Sequence, residues 1–76
     1  MATSDEHAEF CERVKARRKE LGLTQVQMAE RLGMTHPQYQ KIESGKNEPL
    51  FRTQYRIADA LEIEIHELLP MSVKAH

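Results

Sequence analysis

His36, Gln38, Gln40, Lys41 and Ser44 bring several hydrogen-bonding types into nine residues of one stretch. A glutamine amide donates and accepts side by side, which matches the edge of adenine, and a lysine ammonium reaches the acceptors of guanine. Tyr39 and Ile42 fall between them at a spacing that turns both inward on a helix and leaves the polar set outward. Such a face suits the reading of base edges, although any solvated helix surface has a similar composition.

Other chemistry finds less support. His7 and Cys11 stand four apart, within reach of one another on a helix, but two ligands without a further Cys or His cluster make a poor metal site. No Ser, His and acid constellation is apparent, the glutamates are scattered, and there is no glycine-rich phosphate loop. Neither an enzyme activity nor a metal or cofactor is expected.

These residues need elements to hold them. Phe10, Val14 and Leu21 recur at helical steps up to Gly22, and Thr3 with Glu6 has the spacing of a capping box, which predicts a first helix. Thr24 with Gln27 repeats the box before Met28, Ala29 and Leu32, and Gly33 closes that second, short helix. Thr35 with Gln38 opens a third helix that carries the polar stretch and ends at Gly45; Pro37 restrains His36 towards an extended backbone and predicts a start one residue late. Phe51, Tyr55, Ile57, Ala58 and Leu61 predict a fourth helix. Ile63, Ile65, Leu68 and Leu69 predict a fifth, ended by Pro70. A strand through Ile63 and Ile65 would have no partner. The expected fold is all-α, a compact five-helix bundle with Phe10, Val14, Leu21, Met28, Leu32, Tyr39, Ile42, Ile57, Leu61 and Leu68 in one core.

With 76 residues the chain has room for a single domain, 1–76, with its core over about 6–69 and a tail at 70–76. No small-molecule effector is expected at this size. Cys11 is the one cysteine, the acidic amino terminus lacks the pattern of a signal peptide, and no apolar run approaches the ~18 residues of a membrane span. A cytoplasmic protein without a membrane role is expected. The formal net charge of −1 is low for a nucleic-acid binder, but its distribution is uneven. Arg13, Lys15, Arg17, Arg18 and Lys19 crowd together, followed by Lys41, Lys46, Arg52 and Arg56, while Glu62, Glu64 and Glu67 gather near the end. This allows one basic and one acidic face, or solvated helix surfaces of either sign.

Leu23-Thr24-Gln25, Met28 through Thr35, Ile42-Glu43-Ser44-Gly45-Lys46 with Pro49, Ile57-Ala58, Ala60-Leu61 and Glu67-Leu68-Leu69 together resemble the Cro and lambda-repressor (xenobiotic-response-element) family of helix-turn-helix regulators, over nearly all of the chain from Arg13. The resemblance implies a bacterial or phage-encoded transcriptional regulator, a repressor or an activator. It would act as a homodimer on a two-fold symmetric double-stranded DNA operator, with a recognition helix at about 36–44 in the major groove. It carries DNA contacts onto Thr24, Gln25, Thr35, His36, Gln38, Gln40, Lys41, Ser44, Lys46 and Asn47, the last two through side chains and main-chain amides. It also carries a structural ion pair onto Arg18 and Glu43. The surplus apolar residues Ile65, Leu69 and Met71 are candidates for the dimer surface. Glu62 stands where relatives place Gly, which implies backbone strain, and Glu64 where they place Ser or Thr, which implies a weaker cap. A restriction-modification controller, a Cro-like phage repressor and a regulatory antitoxin all fit this pattern. An interaction module of the same fold without a DNA role is the alternative from another class.

Overall fold

The computed structural model describes the backbone of residues 2–70 and the side chains of residues 6–70. Four α-helices follow one another: α1 (Ala2–Glu20), α2 (Gln25–Leu32), α3 (His36–Glu43) and α4 (Phe51–Ala60). No strand occurs among the described residues. The expected fifth helix is a single 3₁₀ turn, Ile65–Glu67. It starts without a Ser or Thr cap and meets Pro70 three residues after it ends, which leaves too short a run for an α-helix to propagate. Pro70, expected in the tail, is buried. Met71 and the remainder of that tail lie outside the described residues.

Local chemistry explains the short middle helices. Thr24 Oγ1 accepts from the Gln27 amide at 3.1 Å while Gln27 Oε1 accepts from the Thr24 amide at 2.8 Å, and Thr35 with Gln38 repeats the arrangement at 3.3 and 2.8 Å. Each box satisfies two amides that a helix start leaves unpaired. The second box fixes the start of α3 at His36, one residue before the position expected from Pro37, which sits in the first turn where no amide hydrogen is needed. At the amino terminus the helix begins at Ala2, so Thr3 is already within α1 rather than capping it. Gly33 ends α2 at φ 68°, a left-handed conformation, and the amide of Met34 then reaches back to Ala29 O at 3.0 Å.

The helices bury one core made of Phe10, Cys11 and Val14 from α1, Met28, Ala29 and Leu32 from α2, Tyr39 and Ile42 from α3, Ile57 and Ala58 from α4, and Leu61 and Leu68 beyond it. Leu21 is half-buried against this core rather than inside it. α2 packs on α3 and α4, and α1 on α3, so three helices support α3 directly or through one neighbour. Ala29 lies buried between α2 and its neighbours, where a longer side chain would force the elements apart. Glu62 has φ 61°, the strained conformation expected where relatives carry Gly, and Glu64 opens the 3₁₀ turn with its amide bonded to Glu67 Oε2 at 3.1 Å.

Candidate nucleic-acid interface

The outer face of α3 is held from beneath by a buried carboxylate. Glu43 is 4% exposed and Arg18, from α1, 8%. The guanidinium meets the carboxylate as a fork, Nε to Oε2 at 2.8 Å and Nη2 to Oε1 at 2.9 Å, while Nη1 donates to Leu23 O at 2.7 Å. The Tyr39 hydroxyl donates to Glu43 Oε2 and Gln25 Nε2 to Oε1, the latter at 3.0 Å. Burial pushes the Glu43 carboxyl up, but the hydrogen bonds from Arg18, Tyr39 and Gln25 outweigh it and hold the group below the ordinary carboxylate range. Arg18 is raised, first by its hydrogen bond to Glu43, and the Tyr39 phenol is raised by burial and by the same carboxylate. The pair therefore stays ionised and fixes the end of α3 against α1 and the start of α2.

The same carboxyl end of α3 is tied to α1 a second time. Cys11 Sγ donates to Ile42 O at 3.3 Å and His7 Nε2 lies 3.3 Å from Gly45 O, a contact made by a ring nitrogen that carries its proton. These two residues thus satisfy carbonyls at a helix carboxyl end. Burial raises the Cys11 thiol. Among the described residues no group of three or more His, Cys, Asp or Glu is placed to hold a metal ion.

On the solvent side, His36, Gln38, Gln40, Lys41 and Ser44 are all exposed. They are not equally free. Gln38 Oε1 is taken by the Thr35 amide, Ser44 Oγ donates to Lys41 O at 3.3 Å, and His36 Nε2 lies 3.0 Å from Gln25 Oε1. Gln40 and Lys41 keep their polar ends unengaged among the described residues. Thr24, Thr35, Lys46 and Asn47 are exposed and Gln25 half-exposed around this face. The amides of Lys46 and Asn47 both bond Lys41 O, at 2.9 and 3.1 Å, so within the free protein only their side chains project from the loop unengaged.

The basic residues divide sharply. Arg17 Nε donates to Leu61 O at 3.0 Å, Arg31 Nη1 to Ala60 O at 2.8 Å, Arg56 Nη2 to Leu32 O, and Arg13 Nη1 to Glu67 O at 3.3 Å. These arginines cover carbonyls at or just beyond helix ends instead of forming a basic face. Sequence composition gave no sign of that use. Nor did helical spacing reveal that Leu50, Phe51 and Tyr55 are exposed, at 76%, 62% and 49%, with the rings of Phe51 and Tyr55 packed edge to face at 5.1 Å. Of the dimer candidates, Ile65 is half-buried against the core, and half-buried Leu69 lines a groove with Phe10, Phe51 and Pro70.

Comparison with known proteins agrees with this geometry. A helix-turn-helix family model matches residues 14–68, which takes in the end of α1, both capped helices, α4 and the final turn. The chain belongs to the helix-turn-helix family. It is 46% identical over 57 residues, 75% of this chain and 51% of the relative, to the cryptic phage CTXphi transcriptional repressor RstR of Vibrio cholerae. It is 40% identical over 60 residues to an uncharacterized HTH-type transcriptional regulator, YqaE, of Bacillus subtilis, covering 79% of this chain and 52% of that one. The chain thus spans about half the length of these curated relatives. Among solved structures it resembles hydroxypropylphosphonic acid epoxidase from S. wedmorenis, with a TM-score of 0.78 and 29% identity over 86% of this chain. The match takes up only 35% of the epoxidase, so the likeness is to one part of a larger chain. Among the described residues no helix is long and apolar enough to cross a membrane.

Proposed function

We propose that the chain is a sequence-specific double-stranded DNA-binding transcriptional regulator that places α3 in the major groove. The observation that carries this reading is the exposed face of α3, with Gln40 and Lys41 free, standing on the buried Arg18–Glu43 pair. A rigid helix with unengaged donors and acceptors is what base reading needs. Thr24 and Gln25 at the start of α2, Thr35 at the start of α3, and Lys46 and Asn47 after it surround this face, and helix amino termini receive phosphates well. The names of the matched relatives, a transcriptional repressor and a regulator, support regulation, with repression favoured by the first. A cytoplasmic location in a bacterium or phage host is part of the same proposal.

A homodimer on a two-fold symmetric operator is part of the same proposal, since one short helix reads few base pairs. Leu69 and the exposed Phe51, which line one groove, with Tyr55 packed on Phe51, form the apolar surface nominated for it. Selection of bound sequences from a random DNA pool tests the reading. An enriched motif with two half-sites about 34 Å apart is expected. Failure to enrich any sequence at low salt would refute it.

A further inference from the structure

The reading face of α3 is not neutral in its hydrogen-bonding sense, and the bias starts in the core. Glu43 is buried, ionised and bonded by Arg18, so it only accepts. The Gln25 atom 3.0 Å from Glu43 Oε1 must then be the amide nitrogen; a flipped amide would set two oxygens against each other. With its nitrogen committed inward, Gln25 turns its carbonyl oxygen to His36 Nε2, 3.0 Å away. A carbonyl accepts, so Nε2 must carry the proton. A neutral imidazole has one N–H, and Nδ1 is left as a bare acceptor on an exposed ring, with no partner among the described residues.

Resting on the DNA reading above, we propose that His36 reads the base edge as an acceptor through Nδ1, its tautomer set by Glu43 through the Gln25 amide. The chemical class it recognises is an exocyclic amino group in the major groove, adenine N6 or cytosine N4. The exposed readers of α3 then differ in kind: His36 accepts, Lys41 donates, and Gln40 does both. Gln25 and Glu43 are positioning residues in this scheme, since they act through the ring.

Two measurements test it. Long-range ¹H–¹⁵N spectra of the free protein above pH 8 report the ring tautomer; His36 is expected with Nε2 protonated and Nδ1 bare, and Gln25→Ala should return it to a mixture. A purely structural Gln25 would leave the ring signals unchanged. The selected operator is then rebuilt one position at a time, with adenine replaced by a purine lacking the N6 amino group or cytosine by a pyrimidinone lacking the N4 amino group. At one position per half-site wild type should lose about 3- to 10-fold in affinity, and His36→Ala should lose nothing further. Replacement by 7-deazaadenine, which removes only an acceptor, should leave the His36 contribution intact. A proton on Nδ1, or amino deletions that cost His36→Ala as much as wild type at every position, would overturn the proposal while the DNA reading stands. A protein that selects no DNA would overturn both.

Discussion

Replacing Arg18 by Ala removes both arms of the fork on Glu43 and the donor to Leu23 O. Glu43 stays 4% exposed in a packed site and keeps only Tyr39 and Gln25. Breaking a buried pair from one side costs about 3–5 kcal/mol, and the two surviving donors place this case near the lower end, about 3 kcal/mol. A domain of 76 residues at roughly 0.05–0.15 kcal/mol per residue holds about 4–11 kcal/mol in total. The substitution therefore removes between about a quarter and three quarters of the stability. Lys19 is the next residue, exposed, with no ion pair among the described residues, and Lys19→Ala should stay within about 0.5 kcal/mol. Urea denaturation followed by helical circular dichroism reads both. Acidity supplies a second check. In wild type the folded Glu43 carboxyl lies below its ordinary value of about 4.3, so its contribution is fully present above that pH and is lost as the pH falls through the lower folded value. Without Arg18 its lowering effect on the carboxyl is lost, so the folded variant takes up a proton at higher pH than wild type. The stability gap should narrow on going from pH 7 to about pH 4. Equal midpoints for Arg18→Ala and Lys19→Ala, or a gap that does not change with pH, would refute the reasoning.

Glu62→Gly should relieve left-handed strain of about 1–2 kcal/mol, offset in part by the lost half-exposed Arg31–Glu62 pair and by the freer unfolded chain. The net gain, about 0.5 kcal/mol, should appear as a melting temperature higher by roughly 2–4 °C. Gln40→Ala and Lys41→Ala should relax base preference by about 1–3 kcal/mol at single operator positions, whereas Lys46→Ala should weaken all sequences alike; binding to operator variants separates the two behaviours. Phe51→Asp and Leu69→Asp should shift the protein towards monomer in sedimentation at micromolar concentration with the helical spectrum kept; a wild type that is monomeric throughout and protects one half-site would defeat the dimer.

The parts legible in the sequence are those whose physics is local. A capping box spans four residues, so Thr24 with Gln27 and Thr35 with Gln38 announced two helix starts that the structure reproduces atom for atom. Gly33 marked the close of α2 for the same reason, and the structure gives it a left-handed φ. The pairing of Arg18 with Glu43 bridges 25 residues, and only the family resemblance suggested it. What stayed hidden depends on tertiary neighbours. Nothing in the spacing of Gln25 and His36 says that their side chains meet, because the contact exists only once α2 and α3 cross. The fifth helix failed because apolar spacing marks a face without saying whether enough uninterrupted chain remains to wind it.

The fate of the arginines connects fold to function. Composition alone shows 11 Lys and Arg against 12 Asp and Glu, a balance that argues against DNA. Yet a guanidinium carries several donors in a fixed fork, which suits it to cover helix-end carbonyls, and Arg17, Arg31 and Arg56 do so here. Covering those carbonyls keeps short helices of 8 and 10 residues from fraying, and α3 can then be presented rigidly. The cations left without an ion pair or internal hydrogen bond among the described residues are Lys19, Lys41, Lys46 and Arg52, and Lys41 and Lys46 belong to α3 and the loop that follows it. A domain so built has little charge with which to hold arbitrary DNA, since non-specific affinity grows with the number of phosphates neutralised. On the reading proposed above, its binding energy comes disproportionately from correctly placed hydrogen bonds on α3, and a wrong base there leaves a fixed donor or acceptor unmatched instead of being compensated by bulk attraction.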